Sequence, residues 1–271
     1  MINAGLISEL KNLFETYQGT ITAFSGGIDS ALVLFLSRKF LDREKAIGVI
    51  SKSESLKDKD YQIAVDFALK YDIILETIYT NELSDKNYNT NPANRCYFCK
   101  SHLYTALNKV KNKFPDYVVL NGTNKDDFKD YRPGIQAAYE NEVKSPLAEL
   151  NLRKDTIREL AKHFGIPIWD KPASPCLSSR IPYGSSITAN KLLEIEKAED
   201  ILNDFGFKDV RIRHYGKNCK IEVPFVEINT LKKYKKKIFT RITELGFTKC
   251  TIDEEGLISG KLNNVLNINN G

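Results

Sequence analysis

Two apolar periods succeed one another along the first eighty residues, and their order predicts the elements. The opening stretch, MINAGLISELKNLFETY, has the three-to-four spacing of an amphipathic helix. Residues 20–24 form a short β-rich run, and an apolar helical pattern starts at Ile28 and lasts to about Leu41. Residues 46–50 are continuously apolar, as a buried parallel strand requires. A helical pattern over 57–71 and a third strand over 73–79 complete a βαβαβ unit. The polar segment 80–95 has no apolar period and reads as a long loop, a length that in a compact domain usually carries function.

A helix to about Lys113, a strand over 117–121 and a helix near 154–164 follow, before the proline-rich connection 171–176. Past Gly184 the succession becomes helix (187–205), two strands (210–215 and 219–223), helix (228–245) and strand (247–253), ahead of a polar tail over 263–271. No parallel crossover fits between the first two of those strands, so this part reads as a separate small α+β unit. The expectation is an α/β domain with a parallel sheet over 1–175 and a C-terminal α+β domain over 176–271.

Composition narrows the function. With 271 residues, 42% hydrophobic and 28% charged, the chain is an ordinary globular one. No apolar run approaches membrane-spanning length, and the first segment has neither a basic n-region nor a small-residue cleavage site, so the expected location is the cytoplasm. The net charge of +5 suits phosphate-bearing ligands but falls short of a nucleic-acid-binding surface. Five cysteines in a chain read as cytoplasmic argue against a disulfide framework and for metal binding or catalysis.

The candidate chemistry begins at SGGIDS, residues 25–30. Gly26 and Gly27 let the chain turn tightly after the first strand, and the first amides of the following helix have no intrahelical partner. Such a junction is an anion cradle, with Ser25, Asp29 and Ser30 beside it. The plain alternative is a strand-to-helix turn capped by Ser25. The pattern GxxxxGK[ST] is absent, which argues against a γ-phosphate-splitting site. Ser51 and Ser53 close the second strand, and Gly122, Lys125, Asp130 and Arg132 form polar turns at the same carboxyl edge, where open α/β sheets bind ligands.

Cys96 and Cys99 form a CxxC, a spacing shared by zinc, iron–sulfur and redox sites. The chain has neither a second CxxC nor a histidine pair to complete zinc ligation; His102 is the nearest further candidate. Cys176 sits in the irregular PASPCLSSRIPYG, whereas Cys219 and Cys250 align with apolar strand positions and read as small core residues. Cys96, Cys99 and Cys176 together could hold a [4Fe–4S] cluster by three irons and leave one open; the alternative is that CxxC and Cys176 never meet. Arg211 and Arg213 alternate on one strand face, where two guanidinium groups can fork a phosphate or simply keep an exposed strand solvated. The lysine run 232–237 reads as a solvated helix face.

The SGGIDS turn resembles that of the PP-loop pyrophosphatases, which split ATP between its α- and β-phosphates and adenylate a substrate oxygen. With NGTNKDDFKDYRPG and KPASPCLSSRIPYG added, nearly the whole chain resembles the LarE family of ATP-dependent sulfur transferases in nickel-pincer nucleotide biosynthesis. That resemblance implies a Rossmann-like PP-loop domain using ATP and Mg²⁺ to adenylate a carboxylate of pyridinium-3,5-biscarboxylic acid mononucleotide. Ser25, Gly26, Gly27, Asp29 and Ser30 are then expected at the pyrophosphate, with Ser51, Ser53 and Gly122 nearby, and Lys125, Asp130 and Arg132 at the triphosphate or the carboxylate. Ser179, Arg180, Arg211 and Arg213 are expected at the substrate phosphate, and Glu199 and Glu222 beside Cys176. One branch of that family gives up the sulfur of the cysteine resembling Cys176; a three-cysteine branch, which Cys96 and Cys99 resemble, uses a [4Fe–4S] cluster as carrier. The resemblance further implies an unidentified sulfur donor and a homo-oligomer. Three other readings stay open: a tRNA thiolase of the same superfamily, an ammonia-using NAD-synthetase-like ligase with a structural CxxC, and a nucleotide-sensing or metal-storage module without turnover.

Overall fold

A computed structural model describes residues 2–129, 131–172, 174–258 and 260–266. The chain divides into two compact units. Of the described residues, one holds those up to Glu82 together with Cys96–Ser174; the other holds Leu83–Arg95 and those from Pro175 to Leu266.

In the first unit, helix α1 (Ala4–Glu15) leads to strand β1 (Thr20–Ala23), α2 (Ile28–Phe40), β2 (Ala46–Lys52), α3 (Asp58–Lys70) and β3 (Ile74–Tyr79). Among the described residues these strands and β4 (Val118–Leu120) form one sheet in the order β3-β2-β1-β4. Every pairing in it is parallel. The alternation of β2 explains the layers. Ile47 and Val49 meet Tyr104, Leu107 and Val110 on one face, whereas Ile50 joins Leu34, Phe67 and Leu160 on the other. Burial on both faces is why this strand reads as an unbroken apolar run.

The segment between β3 and the next long helix is shaped rather than loose. It carries a 3₁₀ turn (Glu82–Ser84) and α4 (Lys86–Asn89) before α5 (Arg95–Lys111). From Leu83 to Arg95 it belongs to the second unit, held there by contacts that span ninety residues of sequence. Tyr88 Oη lies 2.6 Å from Ser178 Oγ, and Asn91 Nδ2 donates to the carbonyls of Ile181 and Pro182 at 3.1 and 2.7 Å. The Arg95 guanidinium stacks 4.9 Å from the centre of the Tyr183 ring. The first unit then finishes with α6 (Gly134–Glu140), α7 (Pro146–Glu149) and α8 (Lys154–His163).

The second unit continues with a 3₁₀ turn (Leu177–Arg180), α9 (Ala189–Asp204), β5 (Arg211–Tyr215), β6 (Asn218–Glu222), α10 (Ile228–Thr243) and β7 (Lys249–Ile252). β5 and β6 pair antiparallel, and β6 and β7 pair parallel. α10 separates the two parallel strands, the connection a parallel pair needs. Its lysines 232, 233, 235, 236 and 237 are exposed while Leu231, Ile238 and Ile242 are buried. Among the described residues no helix is long and apolar enough to cross a membrane.

Candidate active site

The glycine turn sits between β1 and α2. Gly26 has φ +72°, and a Cβ there would stand 2.8 Å from the Asp60 carbonyl oxygen. Gly122, just beyond β4, is closer still: its Cβ would approach the Ser30 amide nitrogen to 2.5 Å. Two positions therefore lack side chains because backbone passes against backbone there. The serines fix the turn. The Ser25 amide donates to Ser30 Oγ at 3.2 Å, the two hydroxyl oxygens are 3.1 Å apart, and Ser30 Oγ reaches the Gly27 carbonyl at 3.1 Å. α2 starts on Gly27 without a side-chain cap. The first amides of α2 thus carry no side-chain cap at the positive end of its dipole.

Asp29, in the first turn of α2, is half-buried. Burial, with the Asp127 carboxylate second, pushes its carboxyl up to about 6, against the opposing pull of Lys154, Arg132 and Arg158. Asp127 is itself buried, with Oδ1 at 3.0 Å from Arg132 Nη2 and 3.6 Å from Lys154 Nζ. Lys125 heads the 3₁₀ turn Lys125–Lys129, its amide donating to the Leu152 carbonyl at 2.9 Å. Asp130 lies outside the described residues. At the end of β2, Ser51 Oγ lies 2.7 Å from Thr80 Oγ1, and Ser53 Oγ lies 3.0 Å from Ser55 Oγ.

Three residues at this site carry no expectation from sequence. Lys171 Nζ donates to the Gly26 carbonyl at 3.1 Å and to Asp60 Oδ1 at 2.8 Å, and Ser174 Oγ donates to Asp60 Oδ2 at 2.8 Å. Asp60 thus ties the proline-rich connection to the glycine turn. On a helix reading DKDYQ it looks like one solvated carboxylate among several; only its distant partners distinguish it.

In the second unit, exposed Cys176 caps the turn Leu177–Arg180. Arg180 is fully buried and donates inward: to both Glu199 oxygens at 2.8 and 3.1 Å, to the carbonyls of Pro175 and Cys176, and to Ser179 Oγ. Glu199 also accepts from the Ile212 amide at 3.1 Å. Arg213 donates to the Ser179 carbonyl at 2.9 Å and to Glu222 Oε2 at 2.7 Å, while its buried Nε has no partner among the described residues. Arg211 bonds Asp209 and the Val210 carbonyl at 2.9 and 2.7 Å. Burial, then the Arg180 guanidinium, hold Arg211 below the usual arginine range, offset by Asp209 and Glu199. Each of the three guanidinium groups is paired with a carboxylate: Arg180 with Glu199, Arg211 with Asp209 and Arg213 with Glu222. The two glutamates bond arginines beside Cys176.

Cys96, exposed, and Cys99, half-buried, lie one turn apart at the start of α5 in the first unit. Among the described residues no group of three His, Cys, Asp or Glu side chains is arranged to hold a metal ion.

Comparison with known proteins fits this chemistry. The family described as NAD synthase matches residues 5–182. An uncharacterised protein of Synechocystis sp. is 40% identical over 96% of this chain and 97% of its own. The pyridinium-3,5-bisthiocarboxylic acid mononucleotide synthase of Lactiplantibacillus plantarum is 33% identical over 97% of this chain and 94% of its own. The NH₃-dependent NAD⁺ synthetase of Thermotoga maritima is 24% identical over 77% and 92%. Matched across more than half its length by the first and over nearly all of it by two relatives, the chain belongs to the NAD synthase family of ATP-dependent PP-loop enzymes, in the group that includes the Lactiplantibacillus synthase.

Proposed function

We propose that the protein adenylates a carboxylate of pyridinium-3,5-biscarboxylic acid mononucleotide and exchanges the activated oxygen for sulfur. The observation that carries this reading is where the likenesses end. The NAD synthase match stops at residue 182, before α9, whereas the likeness to the Lactiplantibacillus synthase covers 97% of the chain and so includes Arg211, Arg213 and Glu222.

ATP enters at the glycine turn, its phosphates against the uncapped start of α2 and the Ser25 and Ser30 hydroxyls. Lys171 holds the Gly26 carbonyl away from the anion, and Lys154 and Arg132 balance Asp127. Asp29, with Asp127 second, suits Mg²⁺, which takes one or two carboxylates plus phosphate oxygens and neutralises charge on the triphosphate when bound. A substrate carboxylate oxygen attacks the α-phosphorus, pyrophosphate leaves, and sulfur at the sulfide level then attacks the acyl carbon and expels AMP. Activation replaces oxide, a poor leaving group, by AMP. Ser179, Arg211 and the free Nε of Arg213 take the substrate phosphate, a group that guanidinium N–H donors bind in a forked geometry. Glu199 and Glu222 act as positioning residues, holding Arg180 and Arg213 in place.

Cys96, Cys99 and Cys176 are the residues that would hold a [4Fe–4S] cluster, which supplies an open iron for sulfide when bound. In favour of this reading, Cys96 and Cys99 lie one turn apart on α5 and Cys176 is exposed. The Thermotoga likeness favours a second reading, amide formation from ammonia after the same activation. One experiment decides. Anaerobically purified protein with ATP, the mononucleotide and a sulfide source should yield AMP, pyrophosphate and a product heavier by the difference between sulfur and oxygen. A product lighter by the difference between an acid hydroxyl and an amide NH₂, formed only when ammonia replaces sulfide, would refute sulfur transfer.

A further inference from the structure

Cys219 and Cys250 serve none of the steps above, yet they are placed together. They are register partners on the parallel strands β6 and β7. Cys219 Sγ donates to Cys250 Sγ at 3.3 Å. Cys219 is 2% exposed, while Cys250 is half-buried and reachable from solvent. Neighbouring strands lie about 4.8 Å apart. That separation is within the roughly 4.4–6.8 Å between Cα atoms that a disulfide spans. Closing the bond needs side-chain movement rather than rearrangement of the sheet.

We propose that Cys219 and Cys250 form a redox-active dithiol, in which Cys250 attacks a low-molecular-weight disulfide and Cys219 resolves the adduct.

The asymmetry of the pair assigns the roles. The S–H of Cys219 donates to Cys250, which lowers the Cys250 thiol below its ordinary range and raises that of Cys219, whose burial adds to the effect. The more ionised sulfur is also the exposed one, the arrangement a reactive thiol needs. The Cys250 thiolate attacks one sulfur of the disulfide RSSR, forms a mixed disulfide and releases RS⁻. Cys219 loses its proton to that thiolate and attacks Cys250 Sγ, expelling the second RS⁻. Overall two thiols are oxidised, RSSR is reduced to two RSH, and β7 becomes covalently joined to β6 across the whole of α10.

The test uses the full chain, reduced and then treated with oxidised glutathione under native conditions, with peptide mapping by mass spectrometry before reduction. The expected result is a cross-linked Cys219–Cys250 peptide, a melting temperature raised by several degrees, and alkylation by iodoacetamide at least about tenfold faster at Cys250 than at Cys219. In C219S the glutathione adduct should accumulate on Cys250. Recovery of both thiols free while Cys96, Cys99 or Cys176 oxidises would overturn the proposal. So would separate adducts on Cys219 and Cys250 with no cross-link. The wild-type mapping stands even if a serine variant fails to fold.

Discussion

Asp29 is the residue at which stability and function pull apart. Its folded carboxyl, raised by burial to about 6 against 3.8 in model peptides, holds a proton that the unfolded chain has already released. Stability from that group is fully present below 3.8 and is lost as pH rises through about 6, a change of up to about 3 kcal/mol. We therefore expect thermal melting of the ligand-free protein to weaken between pH 4 and 6, and D29N to flatten that slope, melt higher at neutral pH and lose ATP turnover. An unchanged pH slope in D29N would show that the carboxylate is not strained. Arg180 is the opposite case. The family resemblance places it at the substrate phosphate; in the fold it is fully buried against Glu199, nineteen positions later. Breaking that pair by E199A should cost about 3–5 kcal/mol in chemical denaturation, since it leaves a buried charge alone.

At the scale of elements, most boundaries were legible. Residues 73–79, 154–164 and 228–245 fall within two residues of β3, α8 and α10, because each carries one clear apolar period bounded by turn residues. The segment 80–95 was not. Its order comes from Tyr88, Asn91 and Arg95 meeting Ser178, Ile181, Pro182 and Tyr183, and no local pattern encodes partners ninety residues away. Y88F should cost about 1–3 kcal/mol by stranding the buried Ser178 hydroxyl, measured as a lowered denaturation midpoint. The turn before α2 makes a sharper demand. G122A places a methyl against the backbone of Ser30 and should cost about 1–3 kcal/mol while pushing the start of α2 out of register with ATP. Calorimetric titration should then show weakened nucleotide binding; unchanged affinity would mean that the junction does not hold the phosphates.

The whole molecule is two units joined by chain that runs back and forth between them. The sequence predicted both kinds of sheet, since a βαβαβ pattern and an α-β-β-α-β pattern differ in period and order. The glycine turn between β1 and α2 was equally legible as a turn, because local turn chemistry selects its serines and glycines. Asp60 and Lys171 were hidden, each an ordinary charged residue until the fold brings them to 2.8 Å. Lys171 is thereby fastened to the glycine turn, so under the proposed function K171M should lower the rate of AMP formation more than tenfold while leaving far-UV circular dichroism unchanged.

The most direct test is the fate of oxygen. With the mononucleotide labelled by ¹⁸O in its carboxylates and ATP unlabelled, attack of the carboxylate on the α-phosphorus predicts AMP carrying ¹⁸O, together with pyrophosphate and only when the mononucleotide is present. Unlabelled AMP, or ADP with inorganic phosphate, would contradict carboxylate adenylation at this site.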